Sequence, residues 1–183
     1  MMARKPKAAA PATDKPTLAE RLAAARSPDA GTLDLSGLSL GELPTELFEL
    51  RHLRDLDLHG NVLTHIPDAI AKLAELQMLS LGGNPLESIP AGVFELAELK
   101  FLDLRGTSIS ASPDDIGRLR KLEILGADDA PITTVSARIG SLDHLRTLWL
   151  QHAALSVFPD AILNCTALET LSCVQPTIGA TNI

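Results

Sequence analysis

Leu56-Asp57-Leu58-His59-Gly60-Asn61-Val62-Leu63-Thr64-His65-Ile66-Pro67-Asp68-Ala69-Ile70-Ala71-Lys72-Leu73-Ala74-Glu75-Leu76 is answered 23 residues later by Leu79-Ser80-Leu81-Gly82-Gly83-Asn84-Pro85-Leu86-Glu87-Ser88-Ile89-Pro90-Ala91-Gly92-Val93-Phe94-Glu95-Leu96-Ala97-Glu98-Leu99. The same phase runs outward in both directions. Leucines stand at 33, 56, 79, 102, 125, 148 and 171, with no insertion or deletion between them. Two residues on come Leu35, Leu58, Leu81, Leu104, Ala127, Leu150 and Cys173. Seven on come Leu40, Leu63, Leu86, Ile109, Ile132, Leu155 and Ile178. Ten on come Leu43, Ile66, Ile89, Ser112, Val135 and Phe158, followed by proline at 44, 67, 90, 113 and 159 and by Ser136 in the remaining unit. A period of this length is the mark of a stacked-repeat architecture.

Each unit divides into two halves with different geometry. The x-Leu-x-Leu-x half alternates with period two, so it is a short strand with its leucines on one face. The Ile-Pro-x-x-Ile-x-x-Leu-x-x-Leu half steps by three. That spacing suits 3₁₀ or short helical turns, and its proline cannot donate to a sheet ladder. One such coil cannot bury its own leucines. Stacked coils share a continuous core and a parallel sheet.

The unit Leu-x-Leu-x-x-Asn-x-Leu-x-x-Ile-Pro-x-x-Ile-x-x-Leu-x-x-Leu resembles the intracellular 23-residue leucine-rich repeat, a class found in scaffolds associated with small GTPases and in bacterial proteins, some of them secreted effectors. The opening Gly31-Thr32-Leu33-Asp34-Leu35-Ser36-Gly37-Leu38 is similar to a common first repeat of bacterial members. The resemblance spans about residues 31–178. It implies an α/β solenoid, a right-handed horseshoe segment. A parallel concave β-sheet of about seven short strands would face a 3₁₀ or short-helical convex side. It also implies a protein-binding role, carried by variable surface positions.

Composition agrees with a repetitive core. The 183 residues are 45% hydrophobic but only 3% aromatic, with one Trp and no Tyr. Net charge is −7. Arg4, Lys5, Lys7 and Lys15 against Asp14 give the first sixteen residues +3, which leaves −10 on the rest. An acidic body argues against a general nucleic-acid binder. The first residues lack the apolar core of a secretory signal, and no apolar run reaches the ~18 residues of a membrane span. A soluble cytoplasmic chain is the expectation, with delivery into a host cell as the alternative. Cys165 and Cys173 stand where leucines usually do and are expected as free, buried thiols rather than a disulfide framework.

Three regions are expected. Residues 1–16, rich in Ala, Pro and Lys, form a disordered basic tail. Residues 17–30 form a capping helix and linker, because Thr17-Leu18-Ala19-Glu20 is a capping box and Leu18, Leu22 and Ala23 share one helical face. Residues 31–183 form the repeat domain, with six full units and a partial seventh. The asparagine position weakens along the chain: Asn61 and Asn84 are followed by Thr107, Ala130, Ala153 and Pro176. Each loss leaves backbone groups to water or to local rearrangement. The C-terminal half is therefore the looser half.

Candidate functional residues lie between and beside the strand leucines, on the concave face. The row Thr32, Asp55, Met78, Phe101, Ile124, Thr147 and Thr170 precedes the first leucine. The row Asp34, Asp57, Ser80, Asp103, Gly126, Trp149 and Ser172 lies between the leucines. A third row holds Ser36, His59, Gly82, Arg105, Asp128, Gln151 and Val174. Met78, Phe101, Ile124 and Trp149 form an apolar group of the kind that marks protein contacts. Asp34, Asp55, Asp57 and Asp103 form an acidic strip beside them, with Arg105 next to it. The bland reading of both is that large side chains cover a short sheet and acids keep it soluble.

No catalytic constellation is visible. Gly82-Gly83 is a turn and not a phosphate loop. The five histidines, His52, His59, His65, His144 and His152, are scattered and lack metal-ligand spacing. His59 beside Asp57 could imitate an acid–base pair, but no nucleophile accompanies them. The expectation is a non-enzymatic adaptor or scaffold without cofactor or metal, binding a protein and neither nucleic acid nor membrane. A monomer is expected, with a homodimer through the C-terminal coil as the alternative. Two other readings are a recognition portion of a larger bacterial effector or signalling enzyme, and a self-assembling structural repeat.

Overall fold

Seven short strands stack in chain order into one parallel sheet: β1 (Thr32–Asp34), β2 (Asp55–Asp57), β3 (Met78–Ser80), β4 (Phe101–Asp103), β5 (Ile124–Gly126), β6 (Thr147–Leu150) and β7 (Thr170–Cys173). The computed structural model describes residues 15–155, 157 and 159–173. The expected tail to residue 14 and the pattern positions Phe158, Val174, Pro176 and Ile178 lie outside the described residues. The register is the sequence phase made physical: Leu33 pairs with Leu56, Leu56 with Leu79, and so on to Leu148 with Leu171.

The chain returns through 3₁₀ turns at Thr45–Glu49, Asp68–Lys72, Ala91–Glu95, Asp114–Arg118, Ala137–Ser141 and Asp160–Asn164. Proline precedes five of them, where its fixed φ suits the entry and no amide hydrogen is needed. The remaining turn, Ala137–Ser141, is preceded by Ser136, whose hydroxyl accepts from the Arg138 N–H at 3.0 Å instead. The strand and return leucines meet inside as one continuous core from Ala25 to Cys165. Cys165 is buried, with its Sγ 3.2 Å from the Ile139 carbonyl, and burial raises the thiol's pKa. Cys173 is half-buried and also free.

A helix α1 (Leu18–Ala24) precedes the sheet. Seven residues are too few to hold a helix by propensity alone. The capping box is formed: the Glu20 N–H donates to Thr17 Oγ1 at 3.3 Å, and the Thr17 N–H donates to Glu20 Oε2 at 2.8 Å. Leu18 and Leu22 then pack on the first coil, and Arg21 donates to the Asp34 carbonyl at 2.8 Å. His52 reaches the Ala25 carbonyl at 3.0 Å from the other side. The helix thus covers apolar surface that the first coil would otherwise present to water.

Asn61 and Asn84 are buried and work between coils. The Asn61 amide donates to the Leu35 and Leu58 carbonyls at 2.9 Å and accepts from the Leu38 and Leu40 N–H groups at 3.0 Å. Asn84 repeats the pattern one coil on, bonding Leu58, Leu81 and Leu63. Thr107 keeps one of these bonds, to the Leu104 carbonyl at 2.7 Å. Where the following coil offers no amide, the N–H turns back on its own chain: Leu86 donates to the Asn84 carbonyl and Ile132 to the Ala130 carbonyl, two residues behind each.

Candidate functional site

The parallel register decides which side chains become neighbours on the open face of the sheet. Met78, Phe101 and Ile124 stand side by side on β3, β4 and β5. Met78 is 45% exposed, and Phe101 and Ile124 are half-buried. Trp149 belongs to the next row, where its register partner is Gly126. The apolar group expected from sequence thus occupies the two rows that the repeat phase assigned to it.

Trp149 joins a different cluster. Arg105 grips Asp103 with both ends of its guanidinium, Nε to Oδ1 and Nη2 to Oδ2, each at 2.8 Å. The Arg105 backbone N–H adds a third bond to Asp103 Oδ1 at 2.9 Å. These bonds raise the pKa of the guanidinium, despite its partial burial. Arg105 Cζ in turn lies 5.7 Å from the centre of the Trp149 ring, within cation–π range. Gly126 makes the arrangement possible. A Cβ there would sit 3.2 Å from Trp149 Cε3 and 3.5 Å from Asp103 Oδ1. Bare backbone at 126 leaves the slot over which the indole reaches towards Arg105.

The acidic strip needs correcting. Asp103 is only 2% exposed, and both its oxygens are engaged by Arg105, so it offers no free charge to a partner. Three of the aspartates also have a structural duty. Asp34 Oδ1 accepts from the Ser36 N–H at 2.8 Å and the Ser36 hydroxyl at 2.6 Å. Asp57 Oδ1 accepts from the His59 N–H at 2.8 Å, as Asp103 does from Arg105. Each closes a turn at the end of its strand, a habit of aspartate two residues before a free amide. Hydrogen bonds from Ser36, with Arg21 nearby, hold the Asp34 carboxyl below its usual pKa. The His59–Asp57 contact involves the histidine backbone, so the imagined acid–base pair is a turn.

Asp55, half-buried in the other row, takes no part in these turns. With Asp34 and Asp57 it lines one side of a depression of about 320 Å³, to which Met78, Phe101 and Arg105 also contribute. On the return side, charges pair from coil to coil: Arg118 with Glu95 and Lys121 with Glu98, both at 2.6 Å, and Lys72 with Glu49 at 3.7 Å. Among the described residues no three His, Cys, Asp or Glu side chains group in a way that could hold a metal ion. No helix among them is long and apolar enough to cross a membrane.

Sequence reasoning missed the roles of Gly126 and of the Asp103–Arg105 pair. Both left a signal. Arg105 follows the last residue of β4, Asp103, by two positions, a spacing that keeps extended side chains on one side of the chain. Gly126 lies 23 residues after Asp103 and 23 before Trp149, so it must separate them.

Two family models match the chain: leucine-rich repeat over residues 31–86 and leucine-rich repeat region over residues 91–182. No curated protein sequence matches it. Among solved structures, a leucine-rich-repeat protein of Leptospira interrogans is 27% identical with a TM-score of 0.76, covering 85% of this chain and 41% of its own. The Arabidopsis receptor kinase HAESA, in complex with the peptide hormone IDA and a co-receptor, is 31% identical with a TM-score of 0.69 over 78% of this chain and 25% of its own. A plant peptide hormone receptor in complex with RGF2 is 28% identical with a TM-score of 0.67 over 84% of this chain and 26% of its own. The chain thus spans less than half the length of these structures. The fold they share is a general protein-interaction scaffold, whose stacked coils present an extended curved face. With its 23-residue phase realised as seven in-register strands, and with these matches along its length, the chain belongs to the leucine-rich-repeat family.

Proposed function

We propose that this chain is an adaptor that binds a protein partner on its concave sheet, with Met78, Phe101, Ile124 and Trp149 as apolar contacts and Asp55, Asp57 and Arg105 beside them. The observation that carries the reading is the apolar row in register on β3 to β5, exposed at Met78 and half-buried at Phe101 and Ile124, next to a depression that unites apolar and charged side chains. The receptors HAESA and RGFR1, seen in complex with a peptide hormone and with RGF2, lend support as relatives whose solved structures carry protein ligands. Asp103 acts in this reading by positioning Arg105, which in turn faces the Trp149 ring. The chain binds and does not catalyse. Its proposed location is the cytosol of a bacterium, supported by its two unpaired thiols and checked by fractionating the producing cell.

Affinity capture with the wild type beside a Phe101→Ala/Trp149→Ala variant tests the reading. A partner should be held by the wild type and weakened in the variant by about 2 kcal/mol or more, roughly thirtyfold in Kd. Circular dichroism should show the same fold in both. Equal capture by the two proteins sinks the concave-face reading, and loss of fold in a Trp149→Ala chain makes that residue core.

A second reading has its own support. Because the chain spans 41% of the Leptospira protein and about a quarter of the plant receptors, it could supply the recognition portion of a longer effector or signalling protein. A longer reading frame around this sequence decides between the two. Self-assembly draws on Val157 and Leu163, 72% and 81% exposed near the last coil. The mass in solution tests it, since the adaptor reading expects a monomer.

A further inference from the structure

The concave depression does not end at β1. Thr32, Leu33 and Asp34, which line it, also line a second depression on the far side of that strand, together with Pro16 and Arg21. Pro16 is held there, because Arg21 Nε donates to its carbonyl at 3.1 Å while Arg21 Nη1 reaches the Asp34 carbonyl at 2.8 Å. Pro16, to which the segment before it is joined, therefore stands at the mouth of the groove. That segment carries Arg4, Lys5, Lys7 and Lys15 against Asp14, with Ala and Pro between them.

We propose that in the free protein this basic N-terminal segment, residues 1–15, lies along the open sheet face over β1 to β3. Its cations would stand beside Asp55 and Asp57, and its small apolar residues beside Met78. Three observations carry the idea.

The first is charge. The ion pairs of this region, Arg21 with Asp34 and Arg105 with Asp103, leave Asp55 and Asp57 without a cation among the described residues. The second is reach. Strands are ~4.8 Å apart, so Asp55 and Asp57 lie roughly one strand beyond the exit point. The eight steps from Lys7 to Lys15 span up to ~28 Å when extended. The third is tethering. A few exposed ion pairs are too weak to hold a free peptide, but a segment anchored at the groove's mouth has an effective concentration in the ~mM range. Weak contacts then suffice to occupy the site. A protein partner must displace the segment, which makes it a competitor built into the chain. The proposal stands apart from the partner reading, because docking of the segment can fail while the concave face still binds a protein.

Zero-length carbodiimide coupling of the full chain, at low protein concentration and low salt, tests this. Monomeric product is isolated and mapped by mass spectrometry. Lys5, Lys7 or Lys15 should be joined to Asp55 or Asp57 about tenfold more often than to Glu42 or Glu46, exposed carboxylates just after β1. The preference should collapse when salt is raised to ~0.5 M. An Arg4→Gln/Lys5→Gln/Lys7→Gln chain should shift the backbone amide resonances of Asp57, Met78 and Ser80 relative to wild type. Equal coupling to both sets of carboxylates overturns the proposal, as do groove couplings found only in a dimer or resonances that do not move.

Discussion

The first three coils and the last four are wound to one pitch, yet they are closed differently. In the N-terminal half, Leu35, Leu58 and Leu81 are completely buried, and Asn61 and Asn84 stitch coil to coil with buried amides. The residue that must turn left-handed after the strand is glycine at 37, 60 and 83, and again at 106 as the fourth coil begins. In the C-terminal half the same turn is made by Asp129 and His152, at φ of 58° and 59°, where a side chain costs ~1 kcal/mol or more. Ala127 and Ser112 stand where other coils have large aliphatics. A void of about 20 Å³ opens beside them, and the Ser112 hydroxyl is buried without a partner. The sheet itself does not distinguish the halves, since β6 and β7 are each four residues long against three in the earlier strands. The lesson is that one repeat can hold its register through leucine phase alone, while its tightness depends on the residues between the leucines.

The largest expected effect tests the amide ladder. Asn84→Ala removes side-chain bonds to four backbone groups, those of Leu63, Leu58, Leu81 and Gly82, at a cost of about 3 kcal/mol and a Tm roughly 10 °C lower. Thr107→Ala, which loses one bond, should cost about 1 kcal/mol. Equal losses in thermal unfolding would mean that the ladder is not what separates the halves.

Next is hydrogen exchange. Backbone amides after about residue 125 should open with roughly tenfold less protection than their equivalents in β2 and β3, since local opening follows the local density of buried contacts and bonds. Uniform protection along the array would erase the comparison.

The smallest effect runs the other way. Ser112→Val fills the void and removes an unsatisfied hydroxyl, so it should stabilise by about 1 kcal/mol and raise Tm by roughly 2 to 4 °C. A neutral or lower Tm would show that the coil has no usable space there.

The architecture was almost wholly legible in the chain. Leu33 to Leu171 in 23-residue phase dictates parallel, in-register strands, because any other pairing would turn a leucine row to water. Pro44, Pro67, Pro90, Pro113 and Pro159 dictate where the return turns begin. The capping box at Thr17 and Glu20 was also readable, because its partners lie three residues apart. The candidate face was legible as rows, and the rows are where the register says they should be.

What those rows contain was decided in three dimensions. Asp103 looked like an exposed acid and is buried under Arg105. Trp149 looked like an apolar neighbour of the Met78 row and instead reaches over Gly126 to a guanidinium. Asp34 and Asp57 looked like a binding strip and also close turns. The physical reason is one of range. Leucine burial follows a period carried by the chain itself, so the sequence determines it alone. The charge a side chain finally presents depends on rotamers, on vacancies such as Gly126, and on partners a full coil away, and only the stacked coils bring these together.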